Sequence, residues 1–129
     1  MRVSTRCLAI AVMALLAFPA HTFEYVSAPP EFVQLLFNQA SSKTDAITEE
    51  EHGYIKIGVH SASTVYRFTT ASHPCHPAVA IQRVVERDGV LSVVTHGVTA
   101  GNRSAFEQWL KALEDQANEN RRLLEKSGS

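Results

Sequence analysis

The chain has 129 residues, 45% of them hydrophobic, with 12 basic and 13 acidic side chains and a formal net charge of −1. That balance excludes a general nucleic-acid binder, which needs a basic stripe. The length suits one domain, which buries roughly 65% of its unfolded surface.

In chain order, Arg2 and Arg6 precede an apolar run from Leu8 to Phe18 that Pro19 ends. The run is shorter than the roughly 20 residues that span a bilayer, and it has the pattern of a secretory signal peptide. A cut after Thr22 places small Ala20 at the −3 position; a cut after Ala20 would place bulky Phe18 there. Residues 1–22 are therefore read as signal peptide and residues 23–129 as a single small α+β domain. The expected location is periplasmic or secreted, with no stable membrane insertion after cleavage. Loss of Cys7 leaves Cys75 alone, and an odd cysteine in an exported protein suggests a free thiol, an intermolecular bridge or a ligand.

Pro29 and Pro30 suit a helix start, where a missing N–H costs nothing. Phe32, Val33, Leu36, Phe37 and Ala40 follow at helical spacing, so a helix is predicted over 30–40. The polar stretch that follows, "SSKTDAITEEE", reads as a loop with a helical turn over 44–51. The period then changes to two. Ile55, Ile57 and Val59 share one face, and a tight turn at Ser61-Ala62 pairs them with Phe68, Tyr66 and Thr64. The other face sets Lys56 opposite Arg67. Like charges directly opposite are unfavourable, so these two either splay into water or hold an acidic partner or anion.

"AVAIQRVVERDGVLSVVTHG" is a second hairpin around Asp88-Gly89, a type I′ turn signal. Its register pairs Arg87 with Val90, Val85 with Ser92, Arg83 with Val94 and Ile81 with His96. Both faces are partly apolar, which marks central strands. A long C-terminal helix closes the chain. Ser104 and Glu107 have capping-box spacing, Phe106, Trp109, Leu110, Leu113 and Ala117 form its apolar stripe, and Leu123 and Leu124 add a small patch near its end. The predicted fold is α+β in two layers: an N-terminal helix, a four-stranded antiparallel β-meander and a long C-terminal helix. Both helices cover the apolar face of the sheet.

The registers place His52, His73, Cys75, His76 and His96 toward one edge of the sheet, with His60 at the opposite tip. Imidazole and thiolate suit zinc or copper, so these five are the candidate metal ligands. The His-Pro-Cys-His spacing matches no strong ligand motif. A thiol-dependent enzyme would need His52 or His96 as the base for Cys75, and no acid lies near in sequence to orient it. The third reading makes Cys75 a small buried apolar residue in a loop that prolines stiffen. Asn102-Arg103-Ser104 is a formal glycosylation sequon.

The run "HPAVAIQRVVERDGVLSVVTHG" followed by an amphipathic helix resembles a group of small exported proteins of gammaproteobacteria. The resemblance implies a bacterial, periplasmic or secreted setting and brings no activity and no site residues. The function expected from the whole is a non-enzymatic module with no cofactor. It binds an unknown protein or small-molecule partner, with Lys56 and Arg67 as weak candidate contacts. The alternative is a zinc- or copper-binding protein.

Overall fold

Asp88 and Gly89 take φ values of 56° and 79°, the pair of positive angles that a type I′ hairpin demands. They join Ala78–Arg87 to Val90–Thr99 and lock the predicted register, with Arg87 opposite Val90 and Ile81 opposite His96. The first hairpin also keeps its predicted register, with Ile55 opposite Phe68, Lys56 opposite Arg67 and Val59 opposite Thr64. Its connection is wider than expected. His60–Ala62 forms a 3-10 turn, and Ser63 follows in the left-handed region at φ 49°.

The computed structural model describes residues 23–127; the expected signal peptide lies outside the described residues. The elements in order are β1 (Phe23–Ser27), α1 (Pro30–Ser41), β2 (Ala46–Glu51), β3 (Tyr54–Val59), β4 (Thr64–Thr69), β5 (Ala78–Arg87), β6 (Val90–Thr99) and α2 (Arg103–Ser127). They build one six-stranded mixed sheet of order β1-β6-β5-β4-β3-β2. The expected four-stranded meander is thus only the middle of the sheet. The predicted loop with its helical turn is instead β2, antiparallel to β3, and β1 runs parallel to β6 at the far edge. The acid-rich β2 is an exposed edge strand, and charge along an edge discourages pairing with another chain.

Two layers are also replaced by three. Val33 and Ala40 of α1 pack on Ile57, Val59, Phe68, Val79 and Val98. Phe106, Leu110 and Leu113 of α2 pack on Ala78, Ala80 and Cys75. Side chains alternate across a strand, so Val79 and Ala80 point to opposite faces and the two helices cover opposite faces. Each fully buried Leu or Phe in these layers contributes about 1.5–3 kcal/mol. Among the described residues, no helix is long and apolar enough to cross a membrane.

The start of α2 differs from the capping-box expectation. Asn102 Oδ1 accepts the Ala105 N–H at 2.8 Å and so caps the helix from two residues before Ser104. The Glu107 carboxylate is engaged elsewhere, accepting a hydrogen bond from the Tyr25 hydroxyl of β1.

Candidate functional site

The loop from Ser72 to Pro77 joins β4 to β5. Within it Cys75 is buried, His73 and Pro77 are half-buried, and Ser72, Pro74 and His76 are exposed. Cys75 Sγ lies 3.2 Å from His73 Nδ1, which also accepts the Cys75 N–H at 3.3 Å. The His73 ring packs on Trp109 of α2 at a centroid separation of 4.4 Å. His76 Nδ1 lies 2.8 Å from Thr69 Oγ1, and that hydroxyl oxygen accepts the Ala78 N–H. The loop also presses on the β6–α2 connection. A Cβ on Gly101 would stand 2.6 Å from the Cys75 carbonyl oxygen and 2.7 Å from that of His76. Only a residue without a side chain fits there.

The five candidate ligands do not converge. His52 is exposed at the β2–β3 turn. His96 alternates to the α1 side of the sheet, where burial and the Arg83 charge lower its pKa and Glu24 acts in the opposite sense. His73 stands on the α2 side, its pKa lowered by burial and then by His76. Among the described residues, no group of three or more His, Cys, Asp or Glu side chains is placed to hold a metal ion.

Burial pushes the Cys75 thiol up to about 11. The thiolate, which is the reactive species, is therefore scarce at neutral pH. Iodoacetamide is expected to modify Cys75 in the folded protein at least about a hundredfold more slowly than in the urea-unfolded chain. Intact-mass spectrometry over time checks this, and comparable rates in the two states would contradict the burial of Cys75.

Lys56 and Arg67 escape their repulsion sideways. Lys56 Nζ turns to β2 and lies 3.2 Å from Glu49 and 3.9 Å from Glu51. Arg67 turns the other way, and its Nη1 donates to Gln82 Oε1 of β5 at 2.6 Å. Its guanidinium lies 5.9 Å from the centre of the Tyr54 ring. The sequence reading missed Glu49 and Glu51 as partners because it missed β2; the usable signal was their spacing of two, which puts both on one face of a strand.

Both cations border a groove that the sequence reading did not anticipate. It opens on the α2 side, between the sheet and the second half of α2, with a volume of about 800 Å³. Its floor comes from Ile47, Val65, Val84, Leu91 and Val93, and its wall from Gln116, Ala117, Asn120, Arg121 and Leu124. The cause is visible in the helix. Large apolar residues hold α2 to the sheet as far as Leu113; beyond it only small or polar residues face the floor until Leu124. Gly58 adds to the gap, since a Cβ built there would meet nothing within 4 Å. Apolar side chains stay wet as a result, with Ile47 65%, Leu91 59% and Leu124 72% exposed.

A polar relay runs from the groove into the core. Gln82 Nε2 donates to Thr95 Oγ1 and to the Leu113 carbonyl, each at 3.3 Å. Thr95 in turn donates to Glu114 Oε1 at 2.5 Å. With its amide nitrogen so engaged, Gln82 presents its oxygen to Arg67 in one orientation. Comparison with known proteins returns no match: no family model fits the chain, and no curated protein or solved structure matches it.

Proposed function

We propose that the protein is an exported, non-enzymatic binding module whose groove on the α2 side takes a small, largely apolar ligand. The observation that carries this reading is the groove itself. It gathers wet apolar side chains from four strands and a helix into one concavity, bordered by a few polar groups. Ligand sites have this anatomy, with volumes of about 300–1,000 Å³, and clustered exposed apolar surface marks interaction sites where single exposed residues do not. The export assignment rests on the apolar run at the N-terminus and is tested by the location and intact mass of the expressed chain.

A filling variant tests the groove. Gly58→Phe places a ring in the open space over β3, and phenylalanine suits a strand better than glycine does. The wild-type protein is expected to bind the apolar fluorophore N-phenyl-1-naphthylamine saturably at one site. Gly58→Phe is expected to keep its thermal stability and to bind at least about tenfold more weakly, a loss of roughly 1.4 kcal/mol. Equal binding by the two proteins would count against the groove.

A further inference from the structure

We propose that the ligand of this groove is a single-chain amphiphile with a carboxylate head, and that Arg67 holds that head. The inference rests on the groove reading above and adds the chemical class of its occupant.

Arg67 is unlike the other paired cations of the α2 side. Lys56, its cross-strand neighbour, has two carboxylates, and Lys111 has Asp115 at 3.2 Å. Among the described residues, no carboxylate lies within ion-pair distance of Arg67; its one hydrogen bond is to the neutral Gln82 oxygen. Its Nε–H is buried and has no acceptor, among the described residues the one buried side-chain polar atom left so. An unsatisfied buried donor costs about 1–3 kcal/mol. A fold that makes Gln82 the end of a polar relay, then leaves the guanidinium at that end half served, has kept donor capacity for something else. Gln82 occupies Nη1, so Nε and Nη2 form the free edge. Two parallel N–H donors on one edge match the two oxygens of a carboxylate. Nε is covered as the side chain stands, so seating the head requires the guanidinium to turn toward the groove.

Charge and surface point the same way. Lys56 is answered by Glu49 and Glu51, so the positive charge that the sheet side of the groove offers an anion is that of Arg67. Val65, Val84 and Val93 present side chains from one face of the sheet, where backbone N–H and C=O groups lie in the plane of the sheet and do not point into the groove. A peptide laid on that floor would bury amides without partners, at a cost; an alkyl chain has none to satisfy.

The test uses the full chain and displacement of N-phenyl-1-naphthylamine by dodecanoate, dodecanol and dodecyltrimethylammonium, each below its micellar range. Arg67→Gln and Lys111→Gln are compared with wild type. Dodecanoate is expected to displace the fluorophore about tenfold or more better than dodecanol, and the cationic amphiphile worst. Arg67→Gln is expected to erase the preference while leaving dodecanol unchanged, which also shows that the variant is folded; Lys111→Gln is expected to keep the preference. Equal displacement by acid and alcohol, or a preference that survives Arg67→Gln, overturns the carboxylate assignment and leaves the groove standing. No displacement by any of the three, with the fluorophore still blocked by Gly58→Phe, also overturns the assignment. Fluorophore binding that Gly58→Phe leaves intact removes the groove reading and this inference together.

Discussion

Phe106→Ala is expected to lower the free energy of unfolding by about 3–5 kcal/mol. The ring is fully buried and fills the space that Gly97 leaves on β6. A Cβ on Gly97 would stand 2.4 Å and 2.6 Å from Phe106 Cζ and Cε2, and 3.1 Å from Leu110 Cδ1. Phe106 also meets Tyr25 of β1 edge-on at 5.3 Å and Trp109 at 6.0 Å. It therefore ties α2 to β6 and to the parallel edge strand at once. Truncation leaves a void bounded by strand backbone, which relaxes poorly, so the cavity cost adds to the lost burial. Urea denaturation checks the size, with Leu123→Ala on the exposed end of the helix as the comparison, expected within about 0.5 kcal/mol of wild type. The converse change is informative too. Gly97→Ala overpacks the same spot and should cost about 1–3 kcal/mol, and that cost should shrink when Phe106 is already alanine. Additive costs would mean that the two residues do not share the site.

The parts of this fold that could be read from the sequence are those with a local cause. The Asp88-Gly89 turn fixes a register by its own backbone angles. The helical stripes of α1 and α2 announce themselves within a few turns. What escaped has non-local causes. β1 follows the expected signal peptide directly and pairs in parallel with β6, so no turn residue announces it. The run Glu49 to Glu51 has low strand propensity, and the cross-strand pull of Lys56 on Glu49 and Glu51, together with the β3 ladder, holds it extended. The layer count failed because β5 is apolar on both faces. Val79 and Ile81 look to α1 and Ala78 and Ala80 to α2, and alternation alone does not say which helix covers which face.

The candidate site was half legible for a related reason. Strand register gives the level of a residue along the sheet, and the level assigned to His96 was correct. It does not by itself bring residues to one face, and His96 shares its parity with Val94 and Val98 on the side away from His73. Lys56 and Arg67 were legible as an unfavourable pair. The groove beside them was not, because it depends on where α2 stops touching the sheet, and that follows from small and polar residues such as Ala117 and Asn120 lining the groove together with Gly58 and Val65.

Thr95→Val is expected to cost about 2–3 kcal/mol, although valine matches threonine in shape and suits a strand. Thr95 is fully buried. Its hydroxyl accepts from Gln82 and donates to Glu114, itself only 6% exposed. Removing the hydroxyl takes one hydrogen bond from a buried acid and one from a half-buried amide, and a buried polar group that loses a hydrogen bond costs more than the bond gained in forming it. Thr48→Val on the exposed edge strand is the comparison and should be nearly neutral. The same substitution reaches the groove. Without the Thr95 acceptor, Gln82 loses one of the two bonds that orient its amide, and Arg67 loses its fixed partner. If the relay positions the guanidinium, Thr95→Val should weaken the preference for dodecanoate over dodecanol while leaving the binding of dodecanol itself intact. A stability cost below about 0.5 kcal/mol would show that the relay is not a structural element of the core. A full cost with an undiminished carboxylate preference would show that Arg67 is positioned by Tyr54 and the strand alone. The two readouts separate because burial sets the first and orientation sets the second.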